Sequence, residues 1–152
     1  MVFDAIDRIR TDELSCDTTR RVYEYWISRH QDGRLPGRAD IEPLDLGFAI
    51  GNLVLMDVLW NPLQFRYRLA GTKLTTWLGF ELTGLWLHEH PDWEFSEIAH
   101  THYAQVAEAR EPLAARFDKL MDDRVRRFEV VLLPLAKDGE TVDMILVCQC
   151  FT

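Results

Sequence analysis

No apolar run in this chain approaches the roughly 18 residues a membrane-crossing helix needs, and the opening "MVFDAIDRIRTDELS" is charged from its fourth residue with no apolar core for export. A soluble, cytoplasmic chain is expected. Basic residues are in short supply, 17 against 25 acidic ones for a net charge of -8, the wrong sign for neutralising phosphates or lying on anionic lipid. Neither nucleic acid nor a membrane is expected as a partner. Cysteine is scarce too: Cys16, Cys148 and Cys150 form no Cys-x-x-Cys and no even framework, so small buried thiols in a reducing compartment are expected. There is no Gly-x-Ser-x-Gly, and Ser15, Ser28 and Ser96 sit in loops or at helix ends without a motif around them. No catalysis by the chain itself is expected.

What is present fits one domain of 152 residues. Phe3, Ile6 and Ile9 are three apart, and Val22, Tyr23, Trp26, Ile27 and His30 form one stripe behind Asp17, a capping residue; the spacing predicts helices over 2–14 and 17–31. "DGRLPGRADIEPLDL" is broken by Gly33, Pro36, Gly37 and Pro43 and reads as an ordered loop with one helical turn after Pro43. "NLVLMDVLW" and "QFRYRLAG" read as strands around Asn61-Pro62. Thr72 to Leu78 and Ser96 to Ala109 have helical spacing, and "LAARFDKLM", "VRRFEVVLLPL" and "TVDMILVCQCF" are three further strands joined at Asp122-Asp123 and Asp138-Gly139.

A two-residue loop at Asp122-Asp123 sets a definite register. Phe117 then faces Phe128, Ala115 faces Val130 and Leu113 faces Leu132 on one side; Arg116 faces Glu129 and Asp118 faces Arg127 on the other, with Lys119 opposite Arg126. Continued across Asp138-Gly139, it puts Ile145 and Val147 on the aromatic face and Leu146 and Met144 beside Val131 and Leu133, respectively, on the opposite one. Both faces are apolar enough to need covering.

The segments "LPGRADIEPLDL", "FRYRLAGTKL" with "ELTG" after it, and "LLPLAKDGETVDMIL", spanning about residues 22–150, resemble short single-domain PAS-like proteins of alphaproteobacterial type. The resemblance implies an α+β fold with a five-stranded antiparallel sheet in the order 2-1-5-4-3, helices on one face and a pocket between the layers. It places residues 32–152 in the core and residues 1–31 as N-terminal helices, a cap on the other face or a dimerisation element within a single domain. It implies a sensory or signalling module acting through contact with another protein, and names no cofactor. The absence of cysteine between Cys16 and Cys148 excludes a light-sensing flavin adduct on the helices. Haem-binding members of the fold carry an axial histidine on the long helix, where His100 and His102 lie, so the alternative is a haem or metal sensor, or a small enzyme, using the stretch from His88 to His102.

The strand and helix periods direct Tyr67, Leu74, Trp77, Leu78, Tyr103, Val106, Phe117, Phe128 and Val130 between sheet and helices, the expected lining of an apolar small-molecule pocket. Phe3, Ile6, Ile9, Val22, Trp26 and Ile27 offer more apolar helical surface than one sheet face needs, which points to a homodimer. The histidines are not read as a tight metal site. Residues two apart on a helix diverge by about 200°, so His100 and His102 cannot chelate one ion together, and His88-Glu89-His90 would need further ligands such as Asp92 or Glu94. From Leu74 to Ala109 there are six acidic residues and no Lys or Arg, an acidic surface expected to favour protonated histidine, with His102 partly buried. The purified protein is therefore expected to contain no stoichiometric transition metal and show no Soret band; metal analysis or a haem spectrum lost in His100→Ala or His102→Ala would overturn this.

Overall fold

Runs of β-branched and aromatic residues in the last third of the chain make the middle of the sheet. In the computed structural model, which describes residues 3–121 and 123–151 without the side chains of residues 3–6, 77, 120 and 121, β4 (Leu113–Met121), β5 (Arg124–Leu135) and β6 (Met144–Phe151) pair antiparallel. Phe117 is opposite Phe128 and Arg116 opposite Glu129, the register deduced from the sequence. β6 presents the expected faces, but its pairing with β5 is a correction: Leu146 lies opposite Leu133 and Cys148 opposite Val131, two residues from the expected partners, because residues 136–143 and not a two-residue loop join the strands. Asp122, half of the expected turn, lies outside the described residues. β2 (Leu53–Leu59) and β3 (Gln64–Ala70) form the other hairpin, and β2 pairs with β6.

The first strand of the sheet is a correction. Residues Phe3–Ile9 form β1, not a helix, and pair with β4, giving six strands in the order β1-β4-β5-β6-β2-β3. Without β1 this is the order implied by the resemblance. The register shifts between Phe3, opposite Lys119, and Ile6, opposite Phe117. That bulge sets three residues of β1 against two of β4, which accounts for the spacing of Phe3 and Ile6, while Ile6 and Ile9 are in regular register and alternate to opposite faces. β1 also covers what would otherwise be an open sheet edge at β4.

Helices close both faces. α2 (Thr72–Leu78) and α3 (Trp93–Ala109) cover the face carrying Phe117 and Phe128, with Ala99, Tyr103 and Val106 buried along α3. α3 starts three residues earlier than its spacing predicts, because Asp92 caps it by accepting from the Phe95 N–H at 3.2 Å. Ahead of α2, Gly71 lies against the Gly51 carbonyl so closely that a Cβ would collide with it. α1 (Asp17–Ser28) covers the opposite face: Val22 and Trp26 are buried, and the Trp26 indole N–H donates to the Pro134 carbonyl at 2.9 Å. The stripe read as a dimer surface therefore serves the chain's own sheet at Val22 and Trp26. Ile27 stays exposed, Ile9 packs on the core, and the side chains of Phe3 and Ile6 lie outside the described residues.

Asp17 does not cap α1; it lies in the first turn and pairs with Arg20 at 2.7 Å. The cap comes from across the sheet. The fully buried Glu129 accepts from the Ser15 and Cys16 backbone N–H groups at 3.1 and 2.9 Å and from the Thr19 hydroxyl at 2.6 Å, while Arg116 Nε donates to it at 3.1 Å. Beside it Cys16 and Cys150, 134 residues apart, form a disulfide with their Cα atoms 6.5 Å apart. Spacing along the chain says nothing about such a pair, and the reading of three free thiols, with its argument for a reducing compartment, is corrected. Cys148 is free and buried, its thiol pushed up to about 12 by burial and by Glu129. Among the described residues no helix is long and apolar enough to cross a membrane.

Burial alone would push the Glu129 carboxyl up, but the hydrogen bonds from Thr19, Ser15 and Cys16 outweigh it and hold the group below its ordinary value of 4.5. Its contribution is thus complete above that unfolded value and is lost as pH falls through the folded one. Glu129→Gln is expected to destabilise the chain by about 3 kcal/mol at neutral pH, with the gap to wild type narrowing below about pH 4.5; urea unfolding that shows no gap at pH 7 would refute this role.

Candidate functional site

A cavity lies between α2, α3 and the aromatic face of the sheet. Its walls include six of the nine residues expected there: Tyr67, Leu74, Leu78, Tyr103, Phe117 and Phe128. Val130 lines an adjoining apolar lobe with Ile98, Ala99, Ala115 and His102, and the two lobes share Phe95, Tyr103, Phe117 and Gln149. Val106 is buried in the core and lines neither lobe. The Trp77 side chain lies outside the described residues. Each lobe is about 40 Å³, where one water needs about 10–15 Å³. The space suits a small molecule rather than a flavin or haem without rearrangement.

The lining is more polar than the sequence reading allowed. His90, Lys119 and Gln149 join Tyr67 and Tyr103 around the first lobe. Lys119 follows Phe117 by two on β4, and Gln149 follows Val147 by two on β6, so strand alternation places both on the cavity face. The signal was in the sequence, and a bias that charged residues face water hid it. His90 comes from the irregular segment before α3, just after a single 3-10 turn (Leu87–Glu89), where no period applies.

His90 is 6% exposed, and its Nδ1 accepts the Asp92 N–H at 3.0 Å, which leaves Nε2 as the protonated nitrogen of the neutral ring. Burial first, then the nearby Lys119 charge, lowers its pKa against the opposing pull of Asp92. Lys119 is 9% exposed; burial lowers its pKa, Asp92 working the other way. Its ammonium lies 5.9 and 6.0 Å from the Phe95 and Phe128 ring centres. Asp92 Oδ1 is engaged at the head of α3, and its Oδ2 is buried with no hydrogen-bond partner among the described residues. Burial raises the Tyr67 and Tyr103 phenols above their ordinary value, each without a hydrogen bond from its hydroxyl among the described residues.

The histidine stretch is dispersed. His88 stacks on Trp86 with ring centres 6.2 Å apart, His100 lies 5.3 Å from Phe65, and His102 reaches the apolar lobe, where burial and then Arg8 lower its pKa. The expected push toward protonated histidine is thus reversed at His90 and His102, because burial outweighs the acidic surroundings. Among the described residues no three His, Cys, Asp or Glu side chains group to hold a metal ion.

The two buried phenols generate a direct check. Tyr67→Phe and Tyr103→Phe are each expected to remove one late-ionising group from an ultraviolet titration of the folded protein; a curve in which all four tyrosines ionise together near the free value of about 10 would contradict the buried placement.

Residues 14–149 match the model of the PAS domain family. No curated protein matches the chain. The match runs from just before α1 to the penultimate turn of β6 and takes in the whole cavity, so the chain belongs to the PAS domain family.

Proposed function

We propose that this chain is a ligand-sensing signalling module, binding a small molecule in the cavity and acting through contact with another protein, without a reaction of its own. One observation carries the reading. The side chains of Tyr67, Tyr103, Lys119 and Gln149, with Nε2 of His90, meet at the cavity without hydrogen-bond or ion-pair partners among the described residues. These polar ends open onto the cavity rather than being sealed in the core, where only Asp92 Oδ2 is buried without a partner among the described residues, so they are available to a molecule that enters it.

The output side is supported by the opposite layer. β5 carries Phe128 into the cavity and Glu129 into the cap of α1, so a shift of this strand reaches both. Beyond α1, Tyr25 bonds Asp45 of the 3-10 segment Pro43–Asn52 at 3.0 Å. Ile27, Leu44 and Ile50 there are 48%, 89% and 55% exposed, apolar surface suited to a second copy of the chain or a signalling protein.

Native mass spectrometry of gently purified protein is expected to show a small organic adduct, displaced when Tyr103→Trp fills the cavity. An adduct-free mass, together with no melting shift across a metabolite library, would sink the reading.

A further inference from the structure

We propose that the polar lobe of the cavity is a receptor for a small monocarboxylate, its carboxylate held by Lys119 and its short apolar body lying toward Ala99, Ala115 and Val130. The inference rests on the ligand-binding reading above and names the chemistry of its ligand. Lys119 is nine-tenths buried, lines the cavity, and has no ion pair among the described residues. Directly opposite it on β5 stands Arg126, whose guanidinium lies 5.5 Å from the ring centre of Phe151. Arg126 is exposed, whereas the Lys119 ammonium is drawn into the cavity between the Phe95 and Phe128 rings without an ion-pair partner among the described residues, and an anion there would supply one.

The surrounding donors agree in sign; the one opposing group among the described residues is Asp92, whose Oδ2 is buried without a hydrogen-bond partner there. His90 offers Nε2–H because its Nδ1 is occupied by the Asp92 N–H, and Tyr67, Tyr103 and Gln149 bring further donors. Asp92 draws on the Lys119 charge, but its Oδ1 is committed to the cap of α3 and it forms no ion pair with the lysine. A primary amine would meet a lysine and a donor-rich wall. A phosphate dianion would bring a second charge into a lobe walled by Leu74, Leu78, Leu82 and Phe95, with a correspondingly larger desolvation cost. A single carboxylate matches one buried ammonium, and the adjoining apolar lobe takes a chain of a few carbons.

The full-length protein, freed of small molecules by dialysis, should be titrated with butyrate, butyramide, propylamine and inorganic phosphate, following binding by calorimetry and by NMR shifts of cavity residues. Butyrate is expected to bind at least about tenfold more tightly than the other three. Lys119→Met should bring butyrate down to the butyramide level, while Lys119→Arg retains part of the preference. In the absence of ligand Lys119→Met should melt at or above wild type, since it removes a buried charge that has no ion pair among the described residues; a lower melting point would make Lys119 a structural residue and overturn the inference. Equal binding of butyrate and butyramide, unchanged in Lys119→Met, or phosphate binding as tightly as butyrate, would overturn the carboxylate class and leave the ligand-binding reading standing. Silence of the cavity resonances to all four probes would overturn the inference and count against the ligand-binding reading itself.

Discussion

The arrangement of layers depends on one buried carboxylate. Glu129 points away from the cavity into the apolar face under α1, where an unpaired charge would be prohibitive. It is sustained by the backbone N–H groups of Ser15 and Cys16 at the entrance to the helix, by Thr19 in its first turn and by Arg116. The benefit is mutual, because a helix N-terminus buried on a sheet would otherwise leave its donors unsatisfied. The contact fixes where α1 begins, and the Trp26 bond to Pro134 fixes how it runs across the sheet. With that face closed, the helices between β3 and β4 are left to cover the other one, and the cavity forms beneath them.

That second layer follows a different rule. Against the α1 face, polar groups are paired: Glu129 has five donors from four residues, and the indole of Trp26 has its carbonyl. At the cavity, the donors of Lys119, His90 and Gln149 and the two phenols have no such partners among the described residues. In a domain of marginal net stability such groups weigh on the fold unless they keep access to solvent, and here all of them open onto the cavity. The contrast between a satisfied face and an unsatisfied one within one sheet separates scaffold from site.

Much of this was legible because strand alternation is strict. The facing pairs of β4 and β5 follow from a two-residue loop and a period of two, as does the exposure of Phe117 and Phe128 to the helices, whereas for β6 the period gave the faces and the longer connection over residues 136–143 moved the partners by two. Lys119 and Gln149 obeyed the same period, and only their polarity kept them off the expected lining. In β1 the bulge gives Phe3 and Ile6 a spacing of three, and Ile9, on the opposite face, completes a helical stripe by coincidence. His90 lies in an irregular segment where no period applies. The Cys16–Cys150 pair and the seating of α1 on Glu129 are set by the meeting of segments far apart in the chain, where spacing carries no information.

The strand that joins the two layers is therefore the part to watch. Along β5, successive residues alternate between the site and the scaffold: Phe128 lines the cavity, Glu129 caps α1, Val130 lines the adjoining lobe and Val131 packs under the helix side of the sheet. A well-packed interior transmits small displacements because it has little free volume to absorb them. A group that wedges against Phe128 acts one residue from the carboxylate that seats α1, while Lys119, opposite Arg126 of the same strand, lies three positions further along. The bonds from Ser15, Cys16, Thr19 and Arg116 all meet at that one carboxylate, so the position of α1 is tied to the position of β5. The cavity wall and the seat of α1 are thus opposite faces of a single strand, with donors open to the cavity on one side and a fully paired carboxylate on the other.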